Sequence, residues 1–166
     1  MSNRLHHRSH KALGCRAALF LGLFVIAGFL ASCGRPSESE QALTGVLHAG
    51  DPAYDRYVSH VELRDIKIRM GLNFNKKRIV MLSGVISNTG DRPIDVVQVK
   101  VSFFNYEQLV SESIHTPLKP GPYTPAIQPL REWAFSFYIE EIPKGWGGSH
   151  AEMSLYGLRF ADQKGE

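Results

Sequence analysis

The stretch "VQVKVSF" at 97–103 changes character at every step, with Val97, Val99, Val101 and Phe103 on one phase and Gln98, Lys100 and Ser102 on the other. A period of two sets the phases on opposite faces of a strand, one core and one wet. On a helix the same residues would scatter round the axis and bury none of their faces well. The rhythm recurs at 133–139, where Trp133, Phe135, Phe137 and Ile139 alternate with polar or partly polar neighbours, and "AEMSLYGLRF" at 151–160 supplies a last strand. In "VSHVELRDIKIRM", Val61 and Leu63 lie on one phase and Ile66, Ile68 and Met70 on the other, so the alternation slips at Arg64-Asp65. A bulge or bend there returns both sets to one core face. No sustained 3.6-residue apolar period follows residue 51, and the fold class is therefore all-β.

Turn chemistry divides these runs. The β-branched segments 79–87 and 94–104 flank "NTGDRP", in which Asn88 and Gly90 suit a turn with positive φ and Pro93 stiffens its exit. Gly84, inside the first segment, points to a bend or a close backbone approach. A shorter strand is expected near 109–114. The five prolines of 117–129 remove ladder donors, so "TPLKPGPYTPAIQPL" reads as a loop rather than a central strand. About seven short strands with turns between them predict an antiparallel β-sandwich. A domain of about 110 residues buries an adequate core without disulfides or metal.

The beginning of the chain follows other rules. Residues 1–16 carry Arg4, Arg8, Lys11 and Arg16 and no acid, and an apolar run at 17–30 follows directly. That order reads as a secretory signal, and fourteen residues interrupted by Gly22 and Gly28 fall short of the roughly twenty that span a bilayer. The run closes on Leu30-Ala31-Ser32-Cys33, which resembles the bacterial lipobox. The resemblance implies diacylglycerol transfer to the Cys33 sulfur and cleavage before it; an uncleaved anchor helix with an incidental cysteine is the alternative. Acyl chains hold at about 0.8 kcal/mol per buried methylene, so two or more make a lasting anchor. The expected organisation is a signal peptide at 1–32, the lipidated Cys33 with a flexible linker at 33–52, and the sandwich at 53–166. Cleavage removes four cations and no acids, which takes the formal charge from +3 to −1 and with it the case for nucleic acid. It also removes Cys15, leaving no pair for an internal disulfide. Gly34 is not the Asp that retains enteric lipoproteins at the inner membrane, so the resemblance favours the outer membrane of a diderm host.

Residues 82–105 resemble the FxLYD-type immunoglobulin-like domains of bacterial envelope proteins. Gly84, Val85, Ile86 and Asn88 match the G-x-V-x-N end of one strand, and Val101, Phe103, Phe104 and Asn105 match the Phe-x-Leu-Tyr-Asp-like end of the next conservatively. "GPY" at 121–123, "EWAFSF" and Trp146 are similar to the close of a related envelope family of unknown function. The resemblance implies an immunoglobulin-like sandwich of about seven strands and carries no catalytic motif.

The residues themselves offer little chemistry. His48, His60, His115 and His150 remain after cleavage without metal-ligand spacing, so no metal or other cofactor is expected. Ser149-His150 and Glu140-Glu141 lack a nucleophile elbow or a paired base, and an enzyme is not expected. "NKKR" at 75–78 reads first as a solvated hairpin tip, with contact to anionic headgroups as the alternative. Tyr123, Trp133 and Trp146 are amphipathic aromatics near turn-rich segments, residue types enriched at protein contacts. They are the candidate partner-binding residues, although Trp146 reads first as a plug folded back over one end of the sandwich. The expected function is a membrane-anchored, non-enzymatic module of the cell envelope that binds or scaffolds another envelope protein. A small-ligand or carbohydrate-binding module is the alternative.

Overall fold

The computed structural model describes residues 43–148 and 150–163. The expected signal peptide and Cys33 lie outside the described residues. Among the described residues there are seven strands: β1 (Leu47–His48), β2 (Val61–Leu72), β3 (Arg78–Asn88), β4 (Ile94–Asn105), β5 (Gln108–Leu118), β6 (Arg131–Ile139) and β7 (His150–Phe160). One sheet has the order β1-β7-β4-β5 and the other β2-β3-β6, with every pairing antiparallel. The protein is thus an all-β sandwich.

The core follows from the alternation. Val97 and Val99 of one sheet pack with Ile86 and Phe135 of the other in a first cluster that also holds Ile94, Leu118, Ile127 and Phe160. Val101 and Phe103 meet Val80, Leu82 and Ile139 in a second, closed by Trp146. The slip in β2 is a bulge. Arg64 pairs with Val85 and Lys67 with Ser83, so two residues of β2 face one of β3, and Asp65 takes φ 52°. Gly84 lies opposite, where a Cβ would come within 2.6 Å of Ile66 Cδ1 and 3.0 Å of Phe135 Cζ. The bulge swings Ile66 inward, and only a glycine leaves it room.

Several expectations change. The linker does not run free to residue 52: Leu47 pairs with Leu158 and His48 with Gly157, and the Thr44 carbonyl accepts from Arg159 Nη1 at 2.8 Å. Arg159 is itself buried, bonded through Nε and Nη2 to Asp95 at 2.9 and 3.1 Å. A helix, α1 (Pro52–Tyr57), then leads into a 3₁₀ turn at Val58–His60. Asp51 caps it, accepting from the Ala53 N–H at 2.7 Å, with proline in the first turn where a missing donor costs nothing. Strand β5 runs on through Pro117 to Leu118, which proline tolerates because β5 is an edge.

"NTGDRP" crosses between the sheets, since β3 pairs with β2 and β6 while β4 pairs with β5 and β7. Neither Asn88 nor Gly90 adopts positive φ. Gly90 is required instead because a Cβ would overlap the Tyr57 phenol, and Asn88 because its buried amide ties three segments together.

Candidate functional site

The loop at 119–130 is held at both chemical ends of one residue. Ile127 is buried, and its backbone bridges Ile94: the Ile94 N–H donates to the Ile127 carbonyl at 3.0 Å and the Ile127 N–H to the Ile94 carbonyl at 2.7 Å. Asn88 Nδ2 donates to the Ile127 carbonyl at 3.2 Å and to the Arg92 carbonyl at 2.8 Å. Its Oδ1 accepts from the Gly90 N–H at 3.1 Å and lies 2.9 Å from Tyr57 Oη. The phenol also stands 2.9 Å from the Arg92 carbonyl, donates to one of these oxygens at a time, and accepts from the Arg92 N–H at 2.9 Å. Proline content excludes strand pairing from most of this loop, and the Asn88 hub supplies the order that pairing would otherwise bring.

What the loop displays is apolar. Tyr123, in a turn closed by the Thr124 N–H on the Gly121 carbonyl at 3.2 Å, is 93% exposed. Leu130 is exposed as well and sits at φ 58°, a left-handed conformation that costs an L-residue roughly 1–2 kcal/mol. The clamped loop thus holds two large side chains, Tyr123 and Leu130, in solvent.

The other two predicted aromatics are placed differently. Trp146 is 8% exposed, edge-on to Phe103 with ring centroids 4.9 Å apart, and its Nε1 donates to the His150 carbonyl at 2.9 Å. Its turn is fixed by Asn105, whose Nδ2 donates to the Gly145 carbonyl and whose Oδ1 accepts from the Gly147 N–H at 3.0 Å. It plugs the second core cluster and offers no ring to a partner. Trp133 pairs with Ile86 across β6 and β3 and packs half-buried against the first cluster. The structure does not bring the three together: each aromatic belongs to a different part of the sandwich. Leu130, Asn88 and Asn105 are what the sequence reading missed. For Asn88 the signal was its place just before a proline-bounded turn, which admits a buried hydrogen-bonding role as readily as a positive φ.

A second feature lies on the side of the sandwich where β5 and β6 face each other. A cleft of about 790 Å³ is lined by Ser111, Ser113, His115, Tyr138, Glu140 and Lys144 among others. Ser113 Oγ is 2.8 Å from His115 Nε2, and the imidazole stacks on Phe137 at 5.0 Å between centroids. Burial pushes the His115 pKa below its ordinary value, so the ring is neutral at pH 7. Serine hydroxyls, a neutral imidazole and a phenol can hydrogen-bond a polar ligand. None of Tyr123, Trp133 and Trp146 lines this cleft. Among the described residues no group of three or more His, Cys, Asp or Glu could hold a metal ion. No family model, curated protein or solved structure matches this chain significantly.

Proposed function

We propose that this chain is a lipoprotein of the bacterial cell envelope, anchored through a thioether at Cys33, whose sandwich binds or scaffolds another envelope protein without catalysing a reaction. The observation that carries the contact is the clamped β5–β6 loop with Tyr123 and Leu130 held in solvent. The immunoglobulin-like reading draws support from the strand order. With β2-β3-β6 as strands A-B-E and β5-β4-β7 as C′-C-F, strand D has no counterpart among the described residues and the place of G beside F is taken by β1 from the other end of the chain. Loops at the ends of such sandwiches are habitual contact sites. Gly34 after the anchor favours the outer membrane in a diderm host.

A photo-crosslinking amino acid placed at 123 or 130 in intact cells tests the contact. The reading predicts one discrete crosslinked partner from both positions, reduced in the Cys33→Ser protein. Crosslinking that is diffuse, or that is unaffected by loss of the anchor cysteine, refutes it. The cleft beside His115 favours a second reading, a module for a small polar ligand. In that case a ligand would protect β5 and β6 amides from exchange and leave the 119–130 loop untouched.

A further inference from the structure

The charges of the described chain are unevenly shared. Residues 43–163 carry thirteen Lys and Arg and thirteen Asp and Glu, yet residues 61–88, which form the β2–β3 hairpin, hold six of the cations and two of the acids. The hairpin is formally +4 and the rest of the described chain −4. Arg64 is paired with Glu132. Among the described residues, no ion pair engages Lys67, Arg69, Lys76, Lys77 or Arg78.

Register sets two of these cations, Lys67 and Arg69, on one face with apolar side chains. Lys76 and Lys77 lie in the tip turn, and Arg78 pairs with Leu72 on the other phase, its Nη2 donating to Met70 Sδ at 3.7 Å. Arg69 lies beside Met81 and Met81 beside Tyr138, while Lys67 lies beside Ser83. This is the outer face of the second sheet, because the intervening Ile68, Leu82 and Phe137 point into the core. Met81 lies across Gly71, where a Cβ would come within 2.8 Å of its Cε, and both Met81 and Tyr138 are exposed. At the tip, Leu72, on the core-facing phase but beyond the core and 64% exposed, and Phe74, wholly exposed, add apolar surface. A groove of about 370 Å³ runs between Leu72, Phe74, Ile79 and Tyr138, with Glu140 at its rim. The tip is stiff. Asn73 Oδ1 accepts from the N–H groups of Asn75 and Lys77 at 3.0 Å each, and its carbonyl accepts from the Lys76 N–H at 2.9 Å.

We propose that this hairpin docks on an anionic lipid bilayer, with Phe74 and Leu72 entering the headgroup boundary and the five unpaired cations meeting lipid phosphates. The charge complementarity selects an anionic surface, and the apolar side chains select a bilayer. A soluble polyanion would satisfy the cations while leaving Leu72, Phe74, Met81 and Tyr138 in water. The tip stands at the far end of β2 from the segment that pairs with β7, some twelve residues or roughly 40 Å away. Its contact is therefore additional to any anchor upstream of residue 43, and does not depend on lipidation of Cys33.

The test uses the full chain with Cys15→Ser and Cys33→Ser, and Phe74→Cys carrying a nitroxide, in vesicles of phosphatidylcholine with or without phosphatidylglycerol. Accessibility to oxygen and to a water-soluble nickel complex reads the depth of residue 74 itself, so the apolar run at 17–30 does not confound it. The proposal predicts that the probe is shielded from nickel only when phosphatidylglycerol is present, and that added salt reverses this. Lys67→Gln/Lys77→Gln/Arg78→Gln, which spares the left-handed Lys76, should lower the inserted-to-aqueous ratio roughly 100-fold, at about 1 kcal/mol per cation. A probe moved to Tyr123→Cys should stay aqueous. A probe at 74 that stays aqueous with both lipids overturns the proposal. Equal shielding by soluble polyphosphate overturns the bilayer assignment in favour of a polyanion.

Discussion

Replacing Asn88 should separate its two ends chemically. In Asn88→Ala the Arg92 carbonyl keeps the Tyr57 hydroxyl and the Ile127 carbonyl keeps the Ile94 N–H, so of the groups that Asn88 bonded only the Gly90 N–H loses its partner. One such loss costs roughly 1–3 kcal/mol, and the small cavity adds to it. In Asn88→Asp the volume is kept, but a carboxylate oxygen replaces the amide nitrogen opposite two carbonyl oxygens, at 2.8 and 3.2 Å in the native geometry. A buried charge facing like dipoles costs about 3–5 kcal/mol, so the conservative change should be the worse one at pH 7. The carboxyl's folded pKa would lie above the unfolded value of about 3.9, so stability is retained below that value and lost as pH rises. The deficit against wild type should therefore shrink on acidification towards pH 4, whereas that of Asn88→Ala should not. Urea unfolding followed by tryptophan fluorescence at several pH values measures both, with exchange of the 119–130 amides showing whether the loop loosens. Equal costs at pH 7, or no acid recovery for Asn88→Asp, would refute the hydrogen-bond assignment on which the clamp rests.

Other outcomes follow from the same geometry. Asp95→Ala leaves Arg159 buried without its carboxylate and should cost about 3–5 kcal/mol, while Asp95→Leu/Arg159→Met should recover most of that loss yet speed exchange of amides 44–48. Trp146→Ala should destabilise by about 3–5 kcal/mol in chemical denaturation, and Tyr123→Ala should stay within about 0.5 kcal/mol while weakening the crosslink. His115 has its folded pKa depressed by burial, so the unfolded chain binds the proton first as pH falls below about 6.5 and stability declines. His115→Gln should remove that part of the slope in a pH series of melting temperatures.

What could be read beforehand was whatever a strand's own period encodes. The slip at Arg64-Asp65 announced the bulge, because apolar residues must return to one face whatever the partner strand is. Gly84 was legible because a glycine inside a β-branched run marks a bend or close approach, and the prolines of 117–129 because they remove ladder donors, although the edge strand β5 runs on to Leu118. The missed features depend on partners far along the chain. Nothing near Leu47 states that it will lie beside Leu158, and nothing near Asp95 that Arg159 will fill the space above it. Helix α1 is one and a half turns long, too short for apolar periodicity, and only the Asp51-Pro52 start marked it. The plug role of Trp146 was legible in its turn-rich setting, whereas its particular neighbour, Phe103, lies 43 residues away and local composition does not show it.

The account rests most heavily on Cys33, and mass spectrometry of the mature amino terminus, purified from membranes of a bacterial host, tests it most directly. The prediction is a first peptide that begins at Cys33 and carries diacylglycerol on sulfur. A chain that still begins at Met1, or one cleaved elsewhere with a free thiol at Cys33, would contradict the lipoprotein reading.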